Sequence, residues 1–588
     1  MAKKPPRPDR GVNGDISVDL RLFLTQLSRA TEWKGEWEAF GLPGSYCAAT
    51  GGSDTPSERA VNYLFEEIMS KFDDESKETD SLKTAEALSK FRQAEDICAK
   101  TNEYFNSVSL IAEWDCPPDT DPDVWRAMCL ARQKIGQWLG AFDWNEAAGG
   151  FRFTSGASFG MPRTRSAPAH KYSKKLEITY GAEALAQAAL QLNPAWGTKN
   201  FRGEPGYNIV PGNRLLCVPK NYKVHRVIAA EPSGNMYFQK GIGSALRRRL
   251  KAIGVDLRSQ SQNQDWAYFG SVTGSVATVD LSMASDTVSK GIVEWAIPPD
   301  WVEAMSLCRS PRGVLPDGSE VLYRKWSSMG NAYTFELETV LFYGLVWACT
   351  KLTGHDTHFI AAYGDDLVCP SGATDLLFRV LRRCGFVPNE KKTFASGPFR
   401  ESCGKHYHHG ADVTPFYIRS QPRKLVDLFL LVNNLRRWLE RCRQVLTDHQ
   451  ITAVMALIRR WRSYAPSNWR RPRIPDGVGD GAFIGTFDEC LPRRPHGKWL
   501  WWEGWQVDVI ADTRKRITRV KDDGSLSIEG VTLAMLDSLE LGPSSVGDEA
   551  DAHWWETIED AMSGVVPNRA KRYTVTTLIV PQYELRAA

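Results

Sequence analysis

Three aspartates carry the residue chemistry from which the chain is best read. Asp365 and Asp366 are adjacent in "HFIAAYGDDLVCPS", behind Gly364 and between two short apolar runs, and Asp280 closes the apolar run "VATV" far upstream. A carboxylate at a strand end, beside the start of a helix, is well placed to hold a divalent cation. Side chains alternate faces along a strand, so two neighbouring aspartates serve one site only where the backbone turns. Gly364 supplies that turn, because glycine takes positive φ without a steric penalty. The segment therefore predicts a tight hairpin with both carboxylates at its tip. Aspartate also favours turns for structural reasons alone, and the pair does not decide between the two.

Other segments add polar groups at suggestive places. In "VDLSMASDTVSKG", Asp286 follows a Ser-rich turn, where it and Ser285 could equally cap a helix. In "KWSSMGNAYTFELETVLFYGLVWACTKL" a polar turn containing Ser327, Ser328, Gly330 and Asn331 enters a long helix just before Thr334. Lys220, Lys223 and Arg226 recur every three residues in "VPKNYKVHRVIAAEP", a spacing that can neutralise a triphosphate or simply face solvent. Lys391 and Lys392 lie downstream of the acidic hairpin.

These residues need a scaffold, and the chain has material for one. Its 588 residues exceed what one core holds, so several subdomains are expected. Hydrophobic residues make up 42% and charged residues 24%, the usage of a folded protein. The net charge of +3 means that any nucleic-acid contact must come from local basic patches. Twelve cysteines without a C-x-x-C pair, no apolar run of membrane length and no apolar signal core in "MAKKPPRPDRGVNGD" point to a reducing, soluble, intracellular setting. Apolar spacing predicts helices in "SERAVNYLFEEIMSKF", "TAEALSKFRQAEDICAKTNEYF" and "LVDLFLLVNNLRRWLERCRQVL". Between about Val218 and Phe416 short strands alternate with helices, and the chemistry concentrates there.

In chain order these segments resemble motifs F, A, B, C and D of RNA-directed RNA polymerases. "VDLSMASDTVS", "SSMGNAYTFELE", "YGDD", "KKTFASGPFRESCGKHY" and "DVTPFYI", with "MYFQKGIG" and "IPDGVGDGA", are similar to the catalytic (beta) replicase subunits of the single-stranded RNA bacteriophages, the levivirus family. The resemblance implies an α+β right-hand polymerase: a palm of antiparallel sheet plus helices, with fingers and thumb. Its expected regions are 1–85, N-terminal helices; 86–270, fingers; 271–400, palm; 401–475, thumb; and 476–588, a C-terminal region.

The family further implies replication of a positive-strand RNA phage genome by two-metal nucleotidyl transfer, with primer-independent initiation at the template 3′ end. Asp280 and Asp365 are expected to ligate two Mg²⁺ ions, with Mn²⁺ a possible substitute and Asp366 in support. Lys220, Lys223 and Arg226 would meet the triphosphate, and Asp286 the ribose 2′-hydroxyl, with Asn331 as its partner. Ser328, Gly330, Asn331 and Thr334 would shape the nucleotide pocket, and Lys392, or Lys391, would be the general acid. Implied partners are RNA template, ribonucleoside triphosphates, host elongation factors Tu and Ts and a small-subunit ribosomal protein. The expected location is the cytoplasm of an infected bacterium, without membrane attachment.

Some motifs have plainer readings. Cys403, His406, His408 and His409 follow C-x-x-H-x-H-H, which matches no standard zinc spacing, and a turn beside the primer is expected. "RRWRSYAPSNWRRPR" interleaves Arg with aromatics, as an RNA channel or a basic surface would. Trp501, Trp502 and Trp505 would make a large apolar patch if exposed, which fits either core packing or a protein contact. A reverse transcriptase would share the paired carboxylates, but Asp286 argues for ribonucleotides. An RNA-binding translational repressor would need no catalysis from the hairpin at all.

Overall fold

The computed structural model describes residues 18–35, 55–72, 77–161, 166–193, 196, 206–219, 225–477, 479–491, 493, 505–513 and 572–580. Lys220, Lys223, Trp501 and Trp502 lie outside these residues. The chain forms two compact units. One contains Lys77–Gly410; the other joins the described residues before Ser76 to those of Ala411–Lys515 and the strand Arg572–Val580. The expected boundary at residue 85 falls inside a continuous 32-residue helix, α1 (Lys77–Val108).

The Lys77–Gly410 unit is α+β. Strands β1 (Asn213–Pro219) and β2 (His225–Ala230) pair antiparallel in a four-stranded sheet that also holds Arg312–Val314 and Glu320–Leu322. Helix α2 (Ser233–Ala252) follows, and α3 (Ser261–Thr273) leads to β3 (Val276–Val279). A one-turn helix, α4 (Ala284–Thr287), comes next, then the long α5 (Thr334–Leu352). Strands β4 (Ala361–Tyr363) and β5 (Asp366–Pro370) form a hairpin, and β6 (Phe399–Ser402) pairs with β7 (Lys405–His408) in another.

The central sheet has the order β3-β5-β4 and is antiparallel throughout. All four residues of β3 are buried, as are Leu367, Val368 and Cys369 of β5, so both faces of these strands are covered. This explains their continuous apolar runs in place of alternation. α5 is buried around most of its circumference: Leu337, Val340, Leu341, Leu345 and Val346 are each at most 3% exposed. An all-round apolar helix of this kind belongs in the middle of a core. Each such side chain contributes about 1.5–3 kcal/mol on burial. Gly344 lets α5 approach Pro122–Leu139 closely, since a Cβ there would meet Ile135 at 2.7 Å.

In the other unit, the helix Pro56–Lys71 begins with a capping box between Thr55 and Glu58 and buries Val61, Leu64, Phe65 and Ile68. The helix Leu425–Cys442 is also present, with Leu428, Val432, Leu435 and Leu439 inside. In the Arg- and Trp-rich run, Trp461 is buried against Phe23 and donates from Nε1 to Gln26 at 3.0 Å, so it is not free to stack on a base. Arg459, Arg460, Arg470 and Arg471 of that run remain exposed. Trp505 opens a strand, Trp505–Thr513, paired antiparallel with Arg572–Val580. No described helix is long and apolar enough to cross a membrane.

Candidate active site

The acidic hairpin has the geometry its sequence predicts. Tyr363 pairs with Asp366, leaving Gly364 and Asp365 as a two-residue turn, and Gly364 has φ of +60°. A first turn residue with positive φ matches the twist of the flanking strands. The turn sits on the first turns of α5. The Gly364 N–H donates to Thr339 Oγ1 at 3.0 Å, and a Cβ on Gly364 would meet the Phe335 ring at 2.5 Å. Phe335 in turn packs edge-on against Tyr363, with centroids 4.9 Å apart.

Asp280 reaches the same end of the sheet because it follows β3, whose Val279 pairs with Leu367 next to Asp366. The three carboxylates act on one another. Asp280 lies above the ordinary carboxylate range, chiefly through burial, opposed by Lys392 and Asn389 and reinforced by Asp365 and Glu401. Asp366 is pushed up to about 6 by burial and then by Asp365, with the Cys403 backbone opposing and Asp280 and Glu401 adding to the push. Burying several negative charges together raises the cost of keeping all of them ionised.

Glu338 on α5 belongs to this group. Ser285 Oγ donates to Glu338 Oε2 at 2.8 Å, and burial, followed by the charge of Asp365, pushes the carboxyl to about 8. Glu336, two residues earlier, turns away to an ion pair with Arg247 at 2.6 Å.

The two lysines are placed differently with respect to Asp280. Lys392 opposes the upward push on Asp280 and lies 3.7 Å from Glu401, which also meets His406 Nε2 at 3.0 Å. Lys391 is exposed. Asn389, just before the pair, was not singled out from sequence, and its side-chain amide donates to Asp280 at 2.7 Å. Cys403, with φ of +47°, and Gly404 turn the β6–β7 hairpin, with His406 and His408 on β7 and His409 just beyond.

The Ser328–Thr334 turn packs on β2. The Ala229 N–H donates to Met329 O at 2.7 Å, and a Cβ on Gly330, where φ is +121°, would fall on the Ala229 carbonyl oxygen. Ser327 and Thr334 hydroxyls meet at 2.7 Å, and Thr334 also donates to Ser328 O. Arg226 is exposed on β2. Asn331 is used locally, accepting from the Tyr333 N–H at 3.0 Å. The partner of Asp286 is instead Lys325, at 2.7 Å, so the expected Asp286–Asn331 pair gives way to one that residue type alone did not signal.

Paired carboxylates at a hairpin tip, a third at a neighbouring strand end and a lysine beside them make a centre suited to phosphoryl chemistry. The chain matches the family model described as RNA replicase, beta-chain, over residues 35–500. It is 40% identical to the RNA-directed RNA polymerase subunit beta of Escherichia virus Qbeta over 441 residues, 74% of this chain and 70% of that protein. The same-named subunit of Enterobacteria phage SP is 38% identical over 463 residues, 76% of each chain. The RNA-directed RNA polymerase beta chain of Escherichia phage MS2 is 37% identical over 397 residues, 66% of this chain and 70% of that one.

Among solved structures, the BmCPV RNA-dependent RNA polymerase at elongation state aligns with TM-score 0.39 and 10% identity, over 59% of this chain and 33% of that one. A human picobirnavirus RNA-dependent RNA polymerase aligns with TM-score 0.34 and 13% identity, over 58% and 68%. By class the protein is an RNA-directed RNA polymerase. The chain belongs to the RNA replicase beta-chain family.

Proposed function

We propose that this chain replicates a positive-strand RNA phage genome from ribonucleoside triphosphates by nucleotidyl transfer supported by two Mg²⁺ ions, for which Mn²⁺ can substitute, with primer-independent initiation at the template 3′ end. The observation that carries the reading is the convergence of Asp280, Asp365 and Asp366 at one end of the central sheet, where burial and mutual repulsion raise Asp280 and Asp366. That donor set fits divalent cations, whose charge would relieve the repulsion. Among the described residues no three His, Cys, Asp or Glu side chains form a ready-made metal cage. Mg²⁺ typically takes one or two carboxylates and completes its shell with substrate phosphates and water. When bound, such ions supply acidity to a hydroxyl nucleophile and charge stabilisation to the phosphates.

The chain's own residues position and select. Asp280 and Asp365 would hold the ions, with Asp366 supporting the cluster. Lys220, Lys223 and Arg226 would bind the triphosphate, and Asp286 would accept a hydrogen bond from the ribose 2′-hydroxyl. Ser328, Gly330, Asn331 and Thr334 line the nucleotide pocket in this reading, their turn braced on the strand that carries Arg226. Lys392 would protonate the departing pyrophosphate, and its influence on Asp280 supports that place. In region terms, 86–270 acts as fingers, 271–400 as palm and 401–475 as thumb. The partners in this reading are host elongation factors Tu and Ts and a small-subunit ribosomal protein, in the cytoplasm of the infected bacterium.

The test is incorporation of labelled GTP, with the other three ribonucleotides and Mg²⁺, on a phage-like RNA, with and without the elongation factors. Template-dependent product from the wild type and none from Asp365→Asn is the expected result. Tight RNA binding without synthesis by the wild type under every condition would replace the polymerase reading with that of an RNA-binding repressor.

A further inference from the structure

The side chain of Lys325 is only 1% exposed, yet its ammonium has a specific address. Nζ lies 2.7 Å from Asp286 Oδ1 and 4.0 Å from Glu95 Oε1. The rings of Phe91 and Tyr323 flank it, with centroids 4.5 and 5.3 Å away. Removing an ammonium from water costs several kcal/mol unless charge and hydrogen bonds replace the lost hydration. Here two carboxylates and two aromatic faces do so.

The backbone around Lys325 is fixed from several sides. Trp326 N donates to Val288 O at 2.8 Å, Lys290 N to Arg324 O at 3.2 Å, and Arg309 Nη2 to Lys325 O at 3.1 Å. Phe91, Glu95, Cys98 and Asn102 form one stripe of α1 at helical spacing, and each meets this arrangement. Phe91 faces the ammonium, and Glu95 accepts from Arg324 N at 2.5 Å. Cys98 Sγ approaches Asp286 O at 3.5 Å, and Asn102 bridges Arg324 O and Gly291 N. The ammonium thus has little freedom, and it contacts one named oxygen of Asp286.

We propose that Lys325 is a positioning residue for sugar selection. By occupying Oδ1 it fixes the rotation of the Asp286 carboxylate and leaves Oδ2 to accept the ribose 2′-hydroxyl. Glu95 and the aromatic pair hold Lys325 in turn, so discrimination reaches back from the nucleotide pocket to α1. This rests on the reading of Asp286 as the sugar contact. A geometry held by a charge-assisted hydrogen bond discriminates more sharply than a free carboxylate, because a mobile acceptor loses the directionality of the bond.

The test compares kcat/KM for CTP and dCTP in the wild type, Lys325→Met, Lys325→Arg and Asp286→Ala, on the assembled enzyme with a fixed RNA template. Lys325→Met is expected to lower the CTP-to-dCTP ratio by about 10- to 100-fold, the range for one hydrogen bond to a charged group. Lys325→Arg, which keeps the charge, should recover part of it. If Lys325→Met melts below the assay temperature, Lys325→Gln takes its place with the same interpretation. A ratio lost in Asp286→Ala but unchanged in the folded Lys325 variants, with CTP and dCTP falling together, would overturn the role of Lys325 alone. An unchanged ratio in Asp286→Ala would overturn the reading of Asp286, and with it that of Lys325.

Discussion

Asn389 holds Asp280 twice: its side-chain Nδ2 donates to the carboxylate Oδ2 at 2.7 Å, and its backbone N–H donates to the Asp280 carbonyl at 2.9 Å. The segment carrying Lys391 and Lys392 is thereby tied to the strand end carrying Asp280, and the rotation of that carboxylate is fixed from outside its own strand. If Asp280 holds an ion as proposed, a group that orients it should matter by about 10- to 100-fold. Asn389→Ala is accordingly expected to lower the rate of nucleotide addition by about that factor at saturating template, and to raise the Mg²⁺ concentration needed for half-maximal rate. A Mg²⁺ titration of single-nucleotide addition measures both; a variant with wild-type Mg²⁺ dependence would show that the clamp is only structural.

Asp280→Asn and Asp365→Asn remove charge without changing shape. Synthesis should fall by at least about 10²–10³-fold, the scale on which single electrostatic stabilisers act. RNA binding, measured by filter retention, should stay near wild type. Joint loss of binding and synthesis would assign these residues to folding instead.

Glu338 makes a prediction about pH. Its carboxyl ionises near 8 in the fold, against 4.5 as the ordinary value, so the folded chain holds a proton that the unfolded chain releases first. Stability from this group is therefore complete below about 4.5 and is lost as pH rises through about 8, a change on the order of 5 kcal/mol. Glu338→Gln mimics the protonated form and can still accept from Ser285. Melting in EDTA at pH 5 and pH 9 should show a smaller alkaline loss for the variant than for the wild type. Equal losses would remove Glu338 as the cause.

Gly330→Ala tests the close packing of the Ser328–Thr334 turn on β2. The new Cβ would collide with the Ala229 carbonyl at a φ that L-residues rarely adopt. The expected cost is about 1–3 kcal/mol of stability, with nucleotide incorporation reduced more than tenfold. Thermal melting and steady-state rates check the two parts separately. Wild-type behaviour in both would mean that the turn can shift without consequence.

Many of the local features are legible in the order of residues alone. "YGDD" between apolar runs specifies a two-residue turn, because glycine is the residue that tolerates the required φ and apolar runs of that length can be buried as strands. The helices Pro56–Lys71 and Leu425–Cys442 show themselves through apolar residues at helical spacing. Residue order also places Asp280, Asp286 and the Ser327–Asn331 turn at the ends of elements. These are local properties, set by propensity and periodicity within a dozen residues.

Partners distant in the chain are not legible in this way. Asn389 is 109 residues from Asp280, and Glu338 is 53 from Ser285. Lys325 is 39 residues from Asp286, and nothing in "YRKWSS" separates it from an ordinary surface lysine. Residue type favours Asn331 for Asp286, yet the turn uses Asn331 for the Tyr333 amide. Residue order specifies which groups can do chemistry and which local shapes present them. Tertiary structure alone decided which groups face one another, because strand pairing and helix packing bring remote segments within hydrogen-bond range, and burial then sets the strength of each contact.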